Sequence, residues 1–440
     1  MKKFMSLLLV LMLLATSAIA MAEEQKTVTV GITASNEPAK KLLAAYEAET
    51  GVKVEMIEIV DSGDYRTKLA LMLQSDETAP DVMYEDGFMV KSDAAAGILK
   101  PLDDYLADWE DWNQYEGAMK EVGLGIDGKV YAVCMSTDVQ ALWYNADVFE
   151  AAGLPREWQP KNWDDVLEAA KTLKEANADN PDFIPMFMWS TTAKTERTSM
   201  RTFQVLYSGT EGKCYDYEEG KWIVDKTNMK KVLDFIDKAW NEYELCSYDV
   251  ASTTDGDNVS TTELANNNIG IYMTGSWIYA NYIPGATYEW EGIDNGALQF
   301  TFFPTYEGEG QTTMSGGWTW VVPTKAKNPD AGWELIKWLS SAANSSQYAR
   351  EDGSLPARND AWQHENWTSQ PYYELQSKFA ESLSFTHFRD AVDNYNAVSG
   401  LYAQMVENVS FGLTSVEEAL EIFEEDLRAT VGDDLVKVVE

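Results

Sequence analysis

The sequence predicts an α/β fold in which a mostly parallel sheet carries helices on its faces and the chain divides into two lobes. Apolar residues make up 45% and charged residues 24% of the 440 residues, a globular composition in a chain long enough for two or three domains. Strand-like and helix-like patterns alternate early in the chain, which is typical of a parallel sheet covered by helices. No flexible linker separates the halves, so we expect lobes that exchange chain segments.

The first elements follow a strand–helix repeat. Apolar–polar alternation marks the strands, and helical spacing of apolar residues marks the helices. Ser35 or Asn36 can cap the first helix, and Gly51 ends it. Strand–helix–strand units in this order form a mostly parallel sheet. The pattern predicts strands over 27–32, 52–57 and 80–84, with a helix after the first strand and another over 65–73.

Longer helices follow in the second half of the chain. Asn162 can cap one of them, and Pro329 opens another at the first helical position, where its missing N–H costs nothing. Ser415 and Glu418 have the spacing of a capping box before a further helix. The C-terminal region is therefore expected to be almost wholly helical.

The first residues have the pattern of a secretory signal peptide, which we expect to span residues 1–22. Lys2 and Lys3 precede an apolar run, 7–15, that is too short to cross a bilayer as a stable helix. Small residues at 18–22 supply the cleavage motif. No lipobox cysteine stands near this site. We therefore expect an exported protein that is periplasmic, at the cell surface or extracellular.

Charge and residue counts argue against several classes of function. The chain has 72 acidic and 34 basic residues, a net charge of −38, which disfavours binding to nucleic acid or anionic lipid. With two histidines and no zinc, phosphate-loop or nucleophile-elbow motif, the sequence supports no metal site, cofactor or catalytic residue. We therefore expect a protein that is not an enzyme. Cys214 and Cys246 could pair after export or remain free thiols.

Several short segments occur in an order that resembles a known family. Each segment is weak evidence alone, but together they cover nearly the whole chain after the signal peptide. They are Pro80-Asp81-Val82, Gly128–Val133, Ser136–Asn145, Asp147–Pro155, Pro160–Asp165, Gly270–Trp277, Ser315–Pro323 with the following Asn328-Pro329, and Ser354–Arg358. This order resembles the extracellular solute-binding proteins of the carbohydrate ABC-transporter class, the maltose-binding type. The run Phe388-Arg389-Asp390 departs from the family's usual Arg-Pro sequence, so no role is carried over to it.

The resemblance implies a two-lobed, type II periplasmic-binding-protein-like fold whose lobes are joined by crossing hinge segments. On this sequence, lobe 1 would hold residues 23–135 and 303–325, and lobe 2 would hold residues 136–302 and 326–440. Hinge bending would close the lobes on a carbohydrate ligand. The expected partners are that ligand and the transmembrane subunits of an ABC permease, and the protein is expected to be a monomer.

A sugar cleft needs hydrogen-bonding groups for the hydroxyl rim and flat rings for the C–H faces of the sugar. Loops at the carboxyl ends of parallel strands point into such a cleft. The resemblance adds Asp138 as a sugar-binding carboxylate and Trp277 as a stacking ring. Trp318 follows two glycines, and Gly317 would let a backbone amide approach the ligand closely. The candidates at strand ends are Asn36, Glu37, Tyr84, Glu85, Asp86 and Trp189.

Other interpretations stay open at this point. Asn36 and Glu37 can simply cap a helix, and each tryptophan can belong to a core. The same fold could bind a cationic solute, a polyamine or betaine, in a box of aromatic rings with adjacent carboxylates. A secreted glycoside hydrolase would need two carboxyl groups facing each other at about 5–9 Å across a sugar subsite.

Overall fold

The structure, a computed structural model, describes residues 26–59, 65–73, 75–115, 117–253, 256–308, 310–390 and 392–439. The expected signal peptide, residues 1–22, lies outside the described residues. The strands are β1 (Thr27–Thr33), β2 (Lys53–Ile59), β3 (Val82–Asp86), β4 (Ala132–Asn145), β5 (Ile184–Phe187), β6 (Tyr215–Asp216), β7 (Lys221–Asp225), β8 (Ile269–Gly275), β9 (Leu298–Thr301), β10 (Phe303–Pro304), β11 (Gln311–Val321), β12 (Leu355–Pro356), β13 (Thr386–Phe388) and β14 (Val436–Val439).

The helices alternate with these strands as the sequence predicts, and they dominate the C-terminal third. They are α1 (Glu37–Thr50), α2 (Tyr65–Leu73), α3 (Val90–Ala95), α4 (Asp103–Leu106), α5 (Ala118–Glu121), α6 (Ala146–Ala151), α7 (Trp163–Ala176), α8 (Thr195–Thr198), α9 (Val205–Ser208), α10 (Lys226–Asp237), α11 (Tyr248–Ser252), α12 (Gly256–Ala265), α13 (Pro329–Leu339), α14 (Ala342–Asp352), α15 (Glu365–Thr368), α16 (Tyr373–Ser377), α17 (Tyr395–Ser410) and α18 (Val416–Val431). A π-helical segment, Ser199–Gln204, joins α8 to α9.

Local capping explains where several of these helices begin and end. Asn36 caps α1 by accepting a hydrogen bond from the Ala39 N–H, and Gly51 ends the helix in the left-handed conformation with φ at 73°. Asn162 caps α7. The predicted capping box is present at the start of α18, where Ser415 and Glu418 bond reciprocally.

One mixed sheet runs through the molecule in the order β2-β1-β3-β11-β4-β8-β5. At one end β1 is parallel to β2 and β3, and at the other end β5 is parallel to β8. The long strands β4 and β11 lie antiparallel between the two ends. The first half of β4 pairs with β11 and its second half pairs with β8. The two long strands therefore connect the two ends of the sheet.

Of the three hydrophobic clusters among the described residues, the two largest are the cores of the two lobes, on either side of these connecting strands. The core of the first lobe includes Val28, Leu43 and Tyr84 from β1, α1 and β3. The core of the second lobe includes Phe187 and Ile271 from β5 and β8, and it continues into helices α7, α17 and α18. Burial of these apolar side chains is the main favourable term that holds each lobe together.

Two segments pack differently from the assignment that the sequence suggested. Helices α13 and α14 follow residue 325, yet Trp333, Ile336 and Tyr348 pack into the core of the first lobe. Conversely, Phe303 lies in the core of the second lobe, although 303–325 was assigned to the first. The chain therefore returns to the first lobe for longer, and later, than the sequence motifs indicate.

Two further features complete the fold. Cys134, Cys214 and Cys246 are free thiols in the structure, so the predicted alternative of a Cys214–Cys246 disulfide is not formed. Across the described ranges, every helix is too short or too polar to cross a lipid bilayer.

Candidate functional site

A cavity of about 440 Å³ lies between the two lobes, beside the strands that connect them. Asp86 and Trp318 line it from the side of the first lobe, and Glu196, Arg201 and Trp277 line it from the side of the second. Of the residues that the sequence singled out, the cavity brings together Asp86, Asp138, Trp277, Gly317 and Trp318. We call this cavity the cleft.

Strand pairing explains why residues far apart in the sequence meet in the cleft. Asp86 ends β3 and pairs with Trp318 on β11. On the other side of β11, Gly316 pairs with Asp138 on β4. The register between β4 and β11 shifts between Trp318 and Thr319, and such a bulge re-aims the side chains around it. The carboxylates of β3 and β4 thus flank the indole of β11.

The indole of Trp318 has a fixed orientation. Its ring stacks on Tyr84 with centroids 4.6 Å apart and planes within 1° of parallel. Tyr84 is only 3% exposed, and its hydroxyl is hydrogen-bonded to the hydroxyl of Tyr348. Tyr84 therefore lies behind Trp318, which is half-buried and borders the cavity. The alternate residue Trp320 is fully buried, so Trp318 is the member of this pair that reaches the cleft.

Glycines let the strand and the second indole lie close to their neighbours. A Cβ at Gly317 would stand 2.7 Å from the backbone oxygen of Ser136, so a larger residue would push β11 and β4 apart. A Cβ at Gly275 would stand 1.8 Å from the six-membered ring of Trp277. The indole of Trp277 can therefore fold against the end of β8 only because position 275 is a glycine.

Asp138 has the surroundings of a carboxyl group that is easily protonated. It accepts hydrogen bonds from the Gly316 N–H at 3.2 Å and from the amide of Gln140 at 3.4 Å. Burial raises its pKa to about 6, and the negative charge of Asp86 acts in the same direction. The positive charges of Arg389 and Arg201 oppose that shift. Asp138 is therefore a cleft carboxylate whose pKa is raised by burial and lowered by two nearby arginines.

Arg389 ties the two sides of the cleft together. Its guanidinium donates to Asp86 at 2.9 Å and to Glu196 at 2.8 Å. Glu196 also accepts hydrogen bonds from Tyr395 at 3.1 Å and from Ser399 at 2.8 Å. Burial works against the charged form of Arg389, but the two carboxylates outweigh it and raise its pKa. Sequence reasoning missed this residue, because its tripeptide departs from the family pattern and its ionic partners are distant in the sequence.

Arg201 also lines the cleft and was also missed. It belongs to the π-helical segment between α8 and α9. Its guanidinium carbon lies 4.7 Å from the centroid of the Trp277 ring. Burial lowers its pKa to about 10, and the neighbouring positive charge of Arg197 adds to that effect. The available signal was the pair of arginines four residues apart, which a helix places on one face.

Besides Tyr84, which lies behind Trp318, the structure places four of the predicted site residues outside the cleft lining, where their contacts are structural. Asn36 is buried as the cap of α1, and its amide donates to the Tyr348 hydroxyl at 3.1 Å. Glu37 is exposed and forms an ion pair with Lys40. Trp189 is fully buried in the core of the second lobe against Phe187.

Glu85 is the fourth of these residues. It alternates with Tyr84 and Asp86 on β3 and is fully buried beside Asp93 of α3. Burial raises its pKa well above the ordinary value, and the neighbouring Asp93 raises it further. This enclosed carboxyl group does not border the cavity. Among the described residues, no group of three or more His, Cys, Asp or Glu side chains is arranged to hold a metal ion.

Comparison with known proteins gives a family match over most of the chain. The profile of the family described as bacterial extracellular solute-binding protein matches residues 41–374. A putative binding protein of Brucella abortus (strain 2308) is 33% identical over 90 residues, which cover 20% of this chain and 20% of that protein. The sn-glycerol-3-phosphate-binding periplasmic protein UgpB of Agrobacterium fabrum is 33% identical over 109 residues, 23% of this chain and 24% of that protein. The aligned stretches thus span only about a fifth to a quarter of the curated relatives.

Solved structures match over nearly the full length. An ABC transporter solute-binding protein of Thermotoga lettingae, bound with α-D-tagatose, has a TM-score of 0.76 at 23% identity and covers 92% of this chain and 100% of its own. Maltose-bound MalE3 of T. maritima has a TM-score of 0.77 at 20% identity, covering 92% and 99%. The GacH receptor of Streptomyces glaucescens, solved with acarbose, has a TM-score of 0.77 at 21% identity, covering 93% and 100%. These similarities confirm the predicted two-lobed α/β fold.

Proposed function

The chain belongs to the family of bacterial extracellular solute-binding proteins, and from that premise we propose that it captures a sugar or oligosaccharide in the cleft between its lobes. It then delivers the sugar, chemically unchanged, to the transmembrane subunits of an ABC importer. The protein acts beyond the cytoplasmic membrane as a monomer, after loss of an N-terminal signal peptide. It is a binding protein and carries out no reaction.

The pairing of a fixed indole with a neighbouring carboxylate carries this proposal. Trp318 is held flat against Tyr84 and borders the cavity, while Asp138 lies on the adjacent strand. A pyranose ring presents C–H groups on its faces and hydroxyl groups around its rim. An indole suits the faces, and a carboxylate forms strong hydrogen bonds with the rim. The arrangement therefore offers both kinds of contact that a sugar needs.

The size and construction of the cleft agree with capture of a small molecule. Its volume of about 440 Å³ lies within the range of ligand pockets, about 300–1,000 Å³. Walls from both lobes meet over strands β4 and β11, so a small bend in these strands would close the lobes over a ligand. The solved relatives described with tagatose, maltose and acarbose support a carbohydrate as that ligand.

The two alternative functions fit the cleft less well. A cationic solute would meet the guanidinium of Arg201, which already lies over the ring of Trp277 and would repel a second positive charge. A glycoside hydrolase needs a carboxylic acid that can donate a proton. Asp86 and Glu196, which line the cleft from opposite sides, are both occupied by ion pairs with Arg389 instead of facing a free sugar subsite.

The experiment is a thermal-shift screen of the purified mature protein against neutral, acidic and phosphorylated sugars, with polyamines and betaine as a separate set. A ligand that binds only the folded form raises the melting temperature in proportion to the logarithm of its concentration. We expect a sugar to do so, and we expect chromatography to recover it intact after long incubation. Stabilisation by polyamines alone, or cleavage of a glycan, would overturn the proposal.

A further inference from the structure

The three arginines that line the cleft differ in what they bind. Arg389 is shared by Asp86 and Glu196, as described above. Arg197 forms an ion pair with Asp257 at 3.1 Å. Within the part of the chain that the structure describes, Arg201 forms no ion pair and donates no hydrogen bond, and the negative charges of Asp257 and Asp138 act on it only from beyond contact distance. Arg201 is thus the cleft cation whose hydrogen-bonding capacity is unused.

The helix around Arg201 explains how this side chain comes to lie in the cleft. Ser199–Gln204 is π-helical, with wider turns than the α8 and α9 segments that flank it. Such single-turn π segments inside helices are frequent at functional sites. The wider turn carries Arg201 beside Trp277, whose ring lies against its guanidinium. The indole therefore helps to hold the guanidinium in place while its N–H groups stay unused.

An unpaired guanidinium in this position is costly once the cleft closes. Water can solvate it in the open cleft, but lobe closure removes that water, and a buried charge without a partner is strongly unfavourable. Arg201 remains charged at neutral pH, because its pKa of about 10 lies well above 7. A guanidinium presents a planar fork of N–H donors that matches the two oxygens of a carboxylate or a phosphate. The missing partner is therefore best supplied by an anion on the ligand.

We propose that the cognate sugar carries an anionic substituent, a carboxylate or a phosphate, and that Arg201 binds this group beside Trp277. The inference rests on the proposed function, since it names the class of sugar that the same cleft takes. The rest of the sugar lies toward Trp318 and Asp138. Asp138 repels the anionic substituent and so favours the orientation in which that substituent faces Arg201.

The net charge of the protein does not prevent such binding. The chain carries −38 overall, which repels anions at long range. At physiological ionic strength that repulsion is largely screened beyond about 8 Å. The proposed bidentate contact with Arg201 acts at hydrogen-bond distance once lobe closure has removed water from the cleft, and there it is much stronger.

The test compares matched ligands on matched variants by isothermal titration calorimetry. The ligand series are D-galacturonate and D-glucuronate with their oligomers, galactose and glucose phosphates, and the corresponding neutral sugars. The variants are Arg201→Gln, which removes the charge, and Arg201→Lys, which keeps the charge but loses the planar fork. Arg156→Gln makes the same change of net charge on the surface of the second lobe, outside the cleft lining, where Arg156 binds Asp147.

We expect one of the two acidic series to bind at least about thirty-fold more tightly than its neutral counterpart, a difference of about 2 kcal/mol. Arg201→Gln should abolish most of that preference, Arg201→Lys should retain part of it, and Arg156→Gln should leave it unchanged. The carboxylate and phosphate series show which anion is used. The melting temperature of each ligand-free variant verifies that it folds.

Other outcomes overturn the inference in distinguishable ways. If neutral sugars bind as tightly as acidic ones and Arg201→Gln has no effect, the inference fails while the proposed function stands. If Arg201→Gln strengthens binding of neutral sugars, Arg201 only covers the face of Trp277, and the inference again fails. If no sugar of either kind binds, the proposed function fails as well.

Discussion

The cleft holds two arginines in contrasting surroundings. Arg389, whose side chain is 6% exposed, is bound by a carboxylate from each side of the cleft. Arg201, which is partly buried, contacts an aromatic ring and forms no ion pair among the described residues. The first arginine has its charge balanced within the protein and holds the lobes in register. The second forms no ion pair until a ligand enters the cleft, so the contrast separates a structural contact from a binding contact.

The largest expected effect is the loss of stability on replacing Arg389. Replacing Arg389 by Met leaves Asp86 and Glu196 facing each other's charge in a buried place. Breaking a buried ion pair in this way costs about 3–5 kcal/mol of unfolding free energy. Arg201→Met removes a partly buried charge that forms no ion pair and should change stability by less than about 1 kcal/mol, or increase it. Urea unfolding of the ligand-free variants measures both values.

Equal losses of unfolding free energy in the two variants would contradict the contrast between the two arginines. Such a result would mean that Arg201 forms an ion pair in solution, and the inference about its ligand would lose its basis. A small loss in Arg389→Met alone would mean that the bridge between the lobes opens readily in solution.

The second prediction concerns the affinity for sugar of a variant that lacks Trp277, the ring beside Arg201. Trp277→Ala should weaken binding of the sugar by ten-fold or more, about 1.4 kcal/mol, because both the ring and the support for the guanidinium are lost. The melting temperature without ligand should barely change, since Trp277 is only partly buried. Trp189→Ala is the matched control, because Trp189 is fully buried and its loss should lower stability instead. Parallel losses of stability and affinity in Trp277→Ala would mark a core residue.

The sequence was sufficient to predict the fold, and it singled out several residues that line the cavity. Local patterns encode strands, helices and caps, so the alternation from β1 to β3 and the caps at Asn36 and Ser415 could be anticipated. Short motifs carried Asp138, Trp277 and Trp318 to positions that border the cleft. These residues lie on the connecting strands or at a strand end, so a residue's place in the sequence motif also determines its place at the cleft.

What could not be predicted depends on packing between distant segments. Glu85 and Asp86 are adjacent in the sequence, yet strand alternation buries one beside Asp93 and leaves the other in the cleft. Nothing in the local sequence says which face of β3 a helix will cover. Arg389 shows the same limit, since its partners lie 303 and 193 residues away in the chain. Ion pairs between charged residues that are distant in the sequence can be identified only once the folded structure is known.

The smallest expected effect is on stability at Asp138, whose pKa is influenced by the charges of both arginines. Arg389 and then Arg201 lower its pKa, but burial outweighs them and holds the pKa at about 6. An unfolded Asp titrates near 3.9, so the folded state disfavours the ionised form. The resulting loss of stability is absent below about pH 4, grows as the pH rises toward 6, and is complete above that value.

Asp138→Asn should therefore stabilise the ligand-free protein by about 1 kcal/mol at pH 7, since water in the cleft screens part of the penalty. The difference between variant and wild type should shrink as the pH falls from 6 to 4. Asp352 and Asp390, whose pKa values burial also raises to about 6, titrate in both proteins and cancel from this difference. The effect of Asp138→Asn on stability should change more in an Arg389→Met background than in an Arg201→Met background. The reason is that the charge of Arg389 lowers the pKa of Asp138 more than the charge of Arg201 does. A pH-independent difference would show instead that the carboxylate at 138 is stabilised by its hydrogen bonds and is already ionised at pH 4.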